Sequence, residues 1–109
     1  MNPTFDECIA ACLSCATACE TCASSCLKED HVEMMAGCIA LDRDCADLCR
    51  LAAAFMARNS PLAAALCKLC AEACKTCAEE CSKHSHDHCQ ACAKACNECA
   101  DACSAMAAK

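Results

Sequence analysis

The chain has 109 residues, the length of one domain, with a net charge of −6 at pH 7, 19 cysteines and two Phe as its only members of Phe, Trp and Tyr. The acidic balance excludes a nucleic-acid-binding face, which must be basic, and the sequence offers no apolar run approaching the roughly 18 residues of a membrane span. The opening MNPTFDEC has no basic stretch, twin arginine or apolar segment. No export signal is therefore visible, and the chain reads as cytosolic, where thiols stay reduced.

The first predicted helix covers about residues 5–28. Thr4 and Glu7 form a capping-box pair ahead of it. It carries Cys8, Cys12, Cys15, Cys19, Cys22 and Cys26, spaced alternately by four and three. LKEDHVEM then breaks that rhythm, and Asp30 with Glu33 predicts the start of a second helix over about 31–58. This helix has fewer thiols, Cys38, Cys45 and Cys49, and Met34, Leu41, Leu48, Ala52 and Met56 are expected to fill the rest of its seam. Asp42, Arg43, Asp44 and Asp47 read as a solvated face, and Gly37 as relief of packing near Cys38.

Asn59-Ser60-Pro61 is a stop and a restart: Asn suits the position after a helix, Ser an N-cap and Pro a first helical residue. The third helix, about 61–83, carries Cys67, Cys70, Cys74, Cys77 and Cys81. HSHDH is a polar link, and Asp87 with Gln90 repeats the capping-box pattern. The fourth helix, about 88–106, carries Cys89, Cys92, Cys96, Cys99 and Cys103.

Alternation of four and three is the a/d seam of packed helices. Short links make consecutive helices antiparallel. The expected fold is all-α: an up-down-up-down antiparallel four-helix bundle with a Cys-lined interior, a single domain over 1–109.

Leucine would fill such a seam without risk of oxidation, so the thiols are there for their chemistry. Disulfides fit poorly. Same-face neighbours hold their Cβ atoms roughly 5–6 Å apart against about 3.8 Å in a disulfide, and the count is odd. Iron–sulfur clusters want cysteines on wrapping loops. Zinc wants four ligands per ion, and several Zn(Cys)4 units of charge about −2 would bury much uncompensated charge in one narrow bundle. Cu(I) is soft and singly charged; with about one ion per thiolate the interior is neutral. Thiolates at i and i+4 can bracket an ion, and the CxxC spacing supplies further pairs. All nineteen cysteines are therefore candidate ligands for many Cu(I) ions, and storage or buffering follows. The alternatives are a zinc or cadmium buffer of metallothionein type and a thiol-based redox enzyme. The latter needs one distinctive low-pKa cysteine. No cysteine stands out from its neighbours and no catalytic constellation is visible, so the chain is not expected to be an enzyme.

Antiparallel topology gathers His31, Met34, Met35, His84, His86 and His88 at one end. Imidazole and thioether there would be weaker Cu(I) ligands suited to loading and release. The other end collects Phe5, Phe55, Met56, Leu62, Leu66 and Met106, an apolar plug. Off the seam, Ile9, Leu13, Ala16 and Ala23, with Leu51, Leu62 and Leu69, predict an apolar stripe suited to self-association.

Over essentially its whole length the chain resembles the copper storage proteins, a bacterial family of cysteine-lined four-helix bundles. The resemblance rests on CxxxCxxCxxxCxxC in the first helix, GCIALDRDCADLC in the second, CKLCAEACKTCAEEC in the third and HCQACAKACNECADAC in the fourth. It implies Cu(I) held by inward thiolates, a mouth at one end and tetramers of bundles. Exported members carry a twin-arginine signal; this chain is similar to the cytosolic branch, whose mouth is histidine-rich. A cytosolic copper chaperone is the partner such a protein would meet.

Overall fold

The computed structural model describes residues 3–108, with side chains from residue 5 onward. The elements are α1 (Pro3–Cys26), a 3-10 turn (Val32–Met35), α2 (Ala36–Ala57), α3 (Ala63–Ser82) and α4 (Asp87–Ala107). Each helix packs on the next, and α4 closes back on α1. The result is a rod of 46 × 18 × 18 Å. This is the expected antiparallel four-helix bundle.

The seam works because two small residue types share it. Cysteine occupies the a and d positions, and every described cysteine is buried. The residue after a d position is repeatedly a buried alanine: Ala16, Ala23, Ala46, Ala53, Ala71, Ala78, Ala93 and Ala100. Alanine there widens the apolar stripe beyond two positions per heptad and lets the helices approach closely. It also corrects the sequence reading of Ala16 and Ala23, which belong to the core and not to an outer stripe. Leu13, Leu51, Leu62 and Leu69 remain on the outside.

The breaks between helices differ in quality. At Asn59 the backbone turns left-handed (φ 53). Its N–H reaches Met56 O at 3.1 Å and Ser60 N–H reaches Phe55 O at 2.9 Å, the paired bonds of a Schellman motif. Ser60 Oγ accepts from Leu62 N–H at 3.1 Å, which starts the turn into α3. Of the other three capping expectations, two need correction. Thr4, and with it the Thr4–Glu7 pair, lies outside the described side chains. Asp30 does not cap α2: the turn begins after His31, held left-handed at φ 60, and the α-helix proper starts at Ala36. Likewise α4 starts at Asp87 after an extended His86, and Gln90 donates instead to Ser82 O (3.3 Å) and His84 O (2.7 Å). That side chain ties the end of α3 to the start of α4.

The segment Phe5–Cys26 of α1 is long and apolar enough, by length and composition, to cross a membrane, with mean hydropathy 1.2. The sequence reading expected no such run. Its apolarity is that of cysteine and alanine, and its thiol seam is buried against α2 and α4.

Candidate metal centre

All nineteen thiols are free and face one another along the axis. Sulfur contacts run between i and i+4 on one helix, as at Cys22–Cys26 (3.8 Å) and Cys70–Cys74 (3.9 Å), and between helices, as at Cys45–Cys74 (3.5 Å) and Cys38–Cys81 (3.2 Å). Quartets emerge in which all four sulfurs lie within 4.8 Å of one another. One is Cys22, Cys26, Cys38 and Cys89 near the α1–α2 link; another is Cys15, Cys19, Cys45 and Cys96; another is Cys12, Cys70, Cys99 and Cys103. Successive quartets share residues or neighbours, so the sulfurs form a file of overlapping soft sites. Sulfur at these separations suits a metal that accepts few ligands and tolerates bridging.

Burial opposes charge on these thiols. Desolvation leads the shift at Cys67, pushed up to about 12, and at Cys89, pushed up to about 11. It leads at Cys26 too, which is raised. The metal-free interior is therefore a store of protons as well as of sulfur, and each thiol that takes a metal ion gives up its proton.

One seam position carries a carboxylate. Asp42 is fully buried, against the expectation of a solvated face. Its Oδ1 accepts from the thiols of Cys77 (3.2 Å), Cys92 (3.2 Å) and Cys81 (3.4 Å), and Oδ2 from Cys38 (3.8 Å). Loss of water pushes the carboxyl up to about 8. The sequence did contain the signal: 38, 42, 45 and 49 repeat the four-three spacing of the cysteines. Residue type hid it, because aspartate beside Arg43 and Asp44 reads as surface. Leu41 and Leu48, assigned to the seam, are only half-buried beside it. Gly37 sits opposite Glu80, whose Oε2 would be 3.5 Å from an added Cβ, an ordinary contact.

At the end where the α1–α2 and α3–α4 links meet lies a cavity of about 400 Å³ lined by residues including His31, Met34, Met35, His84 and His86. The six predicted mouth residues are not equivalent. Met35 is buried, whereas Met34 is 70% exposed and so belongs to no seam. His31 is exposed and beside Glu33. His84 Nε2 lies 3.0 Å from Glu80 Oε2. His88 lies deeper: Nδ1 is 3.5 Å from Cys89 Sγ and 3.9 Å from Cys26 Sγ, two members of the first quartet. The opposite end is apolar, with Met56 and Met106 buried and Phe5, Phe55 and Leu66 packed against the core. Leu62, expected in that plug, is 61% exposed. Arg58 lies over the Phe55 ring at 4.5 Å.

Comparison with known proteins agrees with this geometry. The family profile described as copper storage protein matches residues 1–108. A cysteine-rich protein of Bacillus subtilis, YhjQ, is 52% identical over 83 residues, 76% of this chain and 77% of that protein. The Cu(I)-bound copper storage protein BsCsp3 of Bacillus subtilis superposes with a TM-score of 0.92 at 50% identity, over 95% of this chain and 98% of that one. A cytosolic copper storage protein of Streptomyces lividans, solved with five coppers, superposes with a TM-score of 0.94 at 39% identity, over 97% and 93% of the two chains.

Proposed function

The chain belongs to the copper storage protein family, and on that premise we propose that all nineteen of its cysteines serve as Cu(I) ligands, holding about one ion each. The observation that carries the reading is the continuous file of sulfur quartets within 4.8 Å, with no seam thiol left outside the core. Each loading step is RSH + Cu⁺ → RS–Cu + H⁺. The interior stays neutral as it fills, which a divalent ion in the same space would not permit. Membership of a storage-protein family supports reading the chain as a store and not as an enzyme.

Copper reaches the file at the histidine end. His31, His84 and His86 line the cavity there, and His88 stands between it and the quartet of Cys22, Cys26, Cys38 and Cys89, the first thiols an incoming ion meets. Met35 lines that cavity from the buried side, and Met34 from its exposed rim. The protein works in the cytosol, as the Streptomyces relative is described, where a copper chaperone would dock at this end. Leu13, Leu51, Leu62 and Leu69 supply outward apolar surface for assembly of bundles into a tetramer.

The test is an anaerobic Cu(I) titration against a competing chelator. Capacity is expected near one ion per cysteine. Saturation at about four or five ions would indicate tetrahedral sites of the zinc type and sink the reading.

A further inference from the structure

Among the described residues, His88 is the histidine whose ring nitrogen touches thiols, through Nδ1. Its other ring nitrogen, Nε2, lies 2.7 Å from Glu29 Oε2. Glu29 belongs to the α1–α2 link, three residues after Cys26, whose carbonyl its N–H reaches at 3.2 Å. His88 opens α4 on the far side of the mouth. The same carboxylate oxygen also lies 3.4 Å from His86 Nδ1, and the rings of His86 and His88 stack at 5.4 Å with 3° between their planes.

We propose that Glu29 is a positioning residue for copper loading: its carboxylate accepts the Nε2 proton of His88 and so turns the unprotonated Nδ1 toward Cys26 and Cys89. The proposal rests on the reading of His88 as a copper ligand and names the residue that makes it one.

The reasoning is physical. A neutral imidazole carries one proton on two nitrogens, and only the bare nitrogen can bind a metal. An unrestrained ring at the mouth would sample both tautomers and both ring orientations. A carboxylate on Nε2 selects one tautomer and one orientation together. It also offsets positive charge drawn onto the ring when an ion binds Nδ1, in a site whose thiols are otherwise costly to ionise. Outer partners of this kind are worth about 10- to 100-fold in metal affinity. The Glu80–His84 pair at the mouth does not do this work. Glu80 and His84 lie four residues apart at the end of α3, and their contact brings no ring nitrogen to a thiol. The contact between Glu29 and His88 instead spans from the α1–α2 link to the first turn of α4.

Three variants test it. Glu29 is partly exposed at the mouth, so Glu29→Ala is expected to leave the urea midpoint of the metal-free protein unchanged. In that protein, labelled with ¹⁵N at histidine, long-range ¹H–¹⁵N spectra should place the His88 proton on Nε2 and show it exchanging slowly with water. Glu29→Ala should abolish the slow exchange, and Glu29→Gln, which keeps an acceptor oxygen, should retain it. In anaerobic competition with the bicinchoninate complex of Cu(I), Glu29→Ala should bind the first ion about 10-fold or more weakly at unchanged total capacity. Glu29→Gln should recover most of that loss. A His88 proton on Nδ1, or first-ion binding equal to wild type in Glu29→Ala, overturns the proposal. His88→Ala separates the two possible failures. If it weakens first-ion binding while Glu29→Ala does not, the positioning role falls alone; if neither variant does, His88 is no ligand and both readings fall.

Discussion

At the mouth, four histidines sit on the interhelical links and the first turn of α4, with Glu29, Glu33 and Glu80 as partners. At the opposite end Met56 and Met106 are buried beneath Phe5 and Phe55. Between them the thiol seam runs with a change of residue type only in α2, at Asp42 and Ala52. A uniform seam gives copper no direction of travel. Direction comes from the ends: one offers imidazoles and carboxylates that let water and ions approach, the other an apolar closure of Phe and Met side chains without a histidine among the described residues. The lesson is that a homogeneous store can be made directional by its terminal residues alone.

The sharpest way to break that contrast is to place a charge at each end. Met56→Asp buries a carboxylate with no partner and should cost several kcal/mol, enough to unfold a marginal domain. Met34→Asp, at an exposed site, should stay within about 0.5 kcal/mol of wild type. Urea unfolding of the reduced, metal-free protein measures both, and similar costs would erase the distinction between a plug and a mouth.

A second, smaller effect belongs to the mouth half alone, because Asp42 touches Cys38, Cys77, Cys81 and Cys92 there. In the folded chain its carboxyl is held at about 8 against an ordinary 3.8. Between those values the folded state binds more protons than the unfolded one. The contribution is therefore fully present below about pH 4 and is lost as pH rises to about 8, with a slope on the order of 1 kcal/mol per pH unit at most. Stability relative to Asp42→Asn should thus fall from pH 5 to pH 8. A pH-independent difference would mean that the carboxyl is not held protonated by burial.

The third contrast is kinetic. Replacing His31, His84, His86 and His88 together by alanine should slow Cu(I) loading by about tenfold while leaving capacity nearly intact. Leu66→Ala at the plug should leave the loading rate unchanged. Stopped-flow mixing under anaerobic conditions compares the two, and equal rates in all three proteins would make the histidine link an ordinary loop.

The helices and the thiol seam were legible because a four-three spacing survives any detail of packing: it is set by 3.6 residues per turn. The same rule placed the histidines at one end. What failed was local. Asp30 looked like a cap, but His31 turns left-handed and the chain spends Val32–Met35 in a 3-10 turn before α2 begins. That shift of start buries Met35 and turns Met34 outward. Asp42 failed for the opposite reason: spacing pointed inward and residue type pointed outward, and type was given the greater weight. The Glu29–His88 contact joins residues 59 apart in sequence, and nothing local announces it.

The alanine that repeatedly follows a d position has one more consequence. Every heptad of this rod is nearly the same module: a thiol, a thiol, a spacer small enough to keep the wall thin. Lengthening all four helices by seven residues would extend the rod by about 10 Å and add about eight thiols, with no new kind of contact required. Lengthening one helix alone would throw its layers out of step with three neighbours. Capacity in such a protein is therefore a quantity that changes by whole layers, and evolution can tune it in coordinated insertions far more readily than residue by residue.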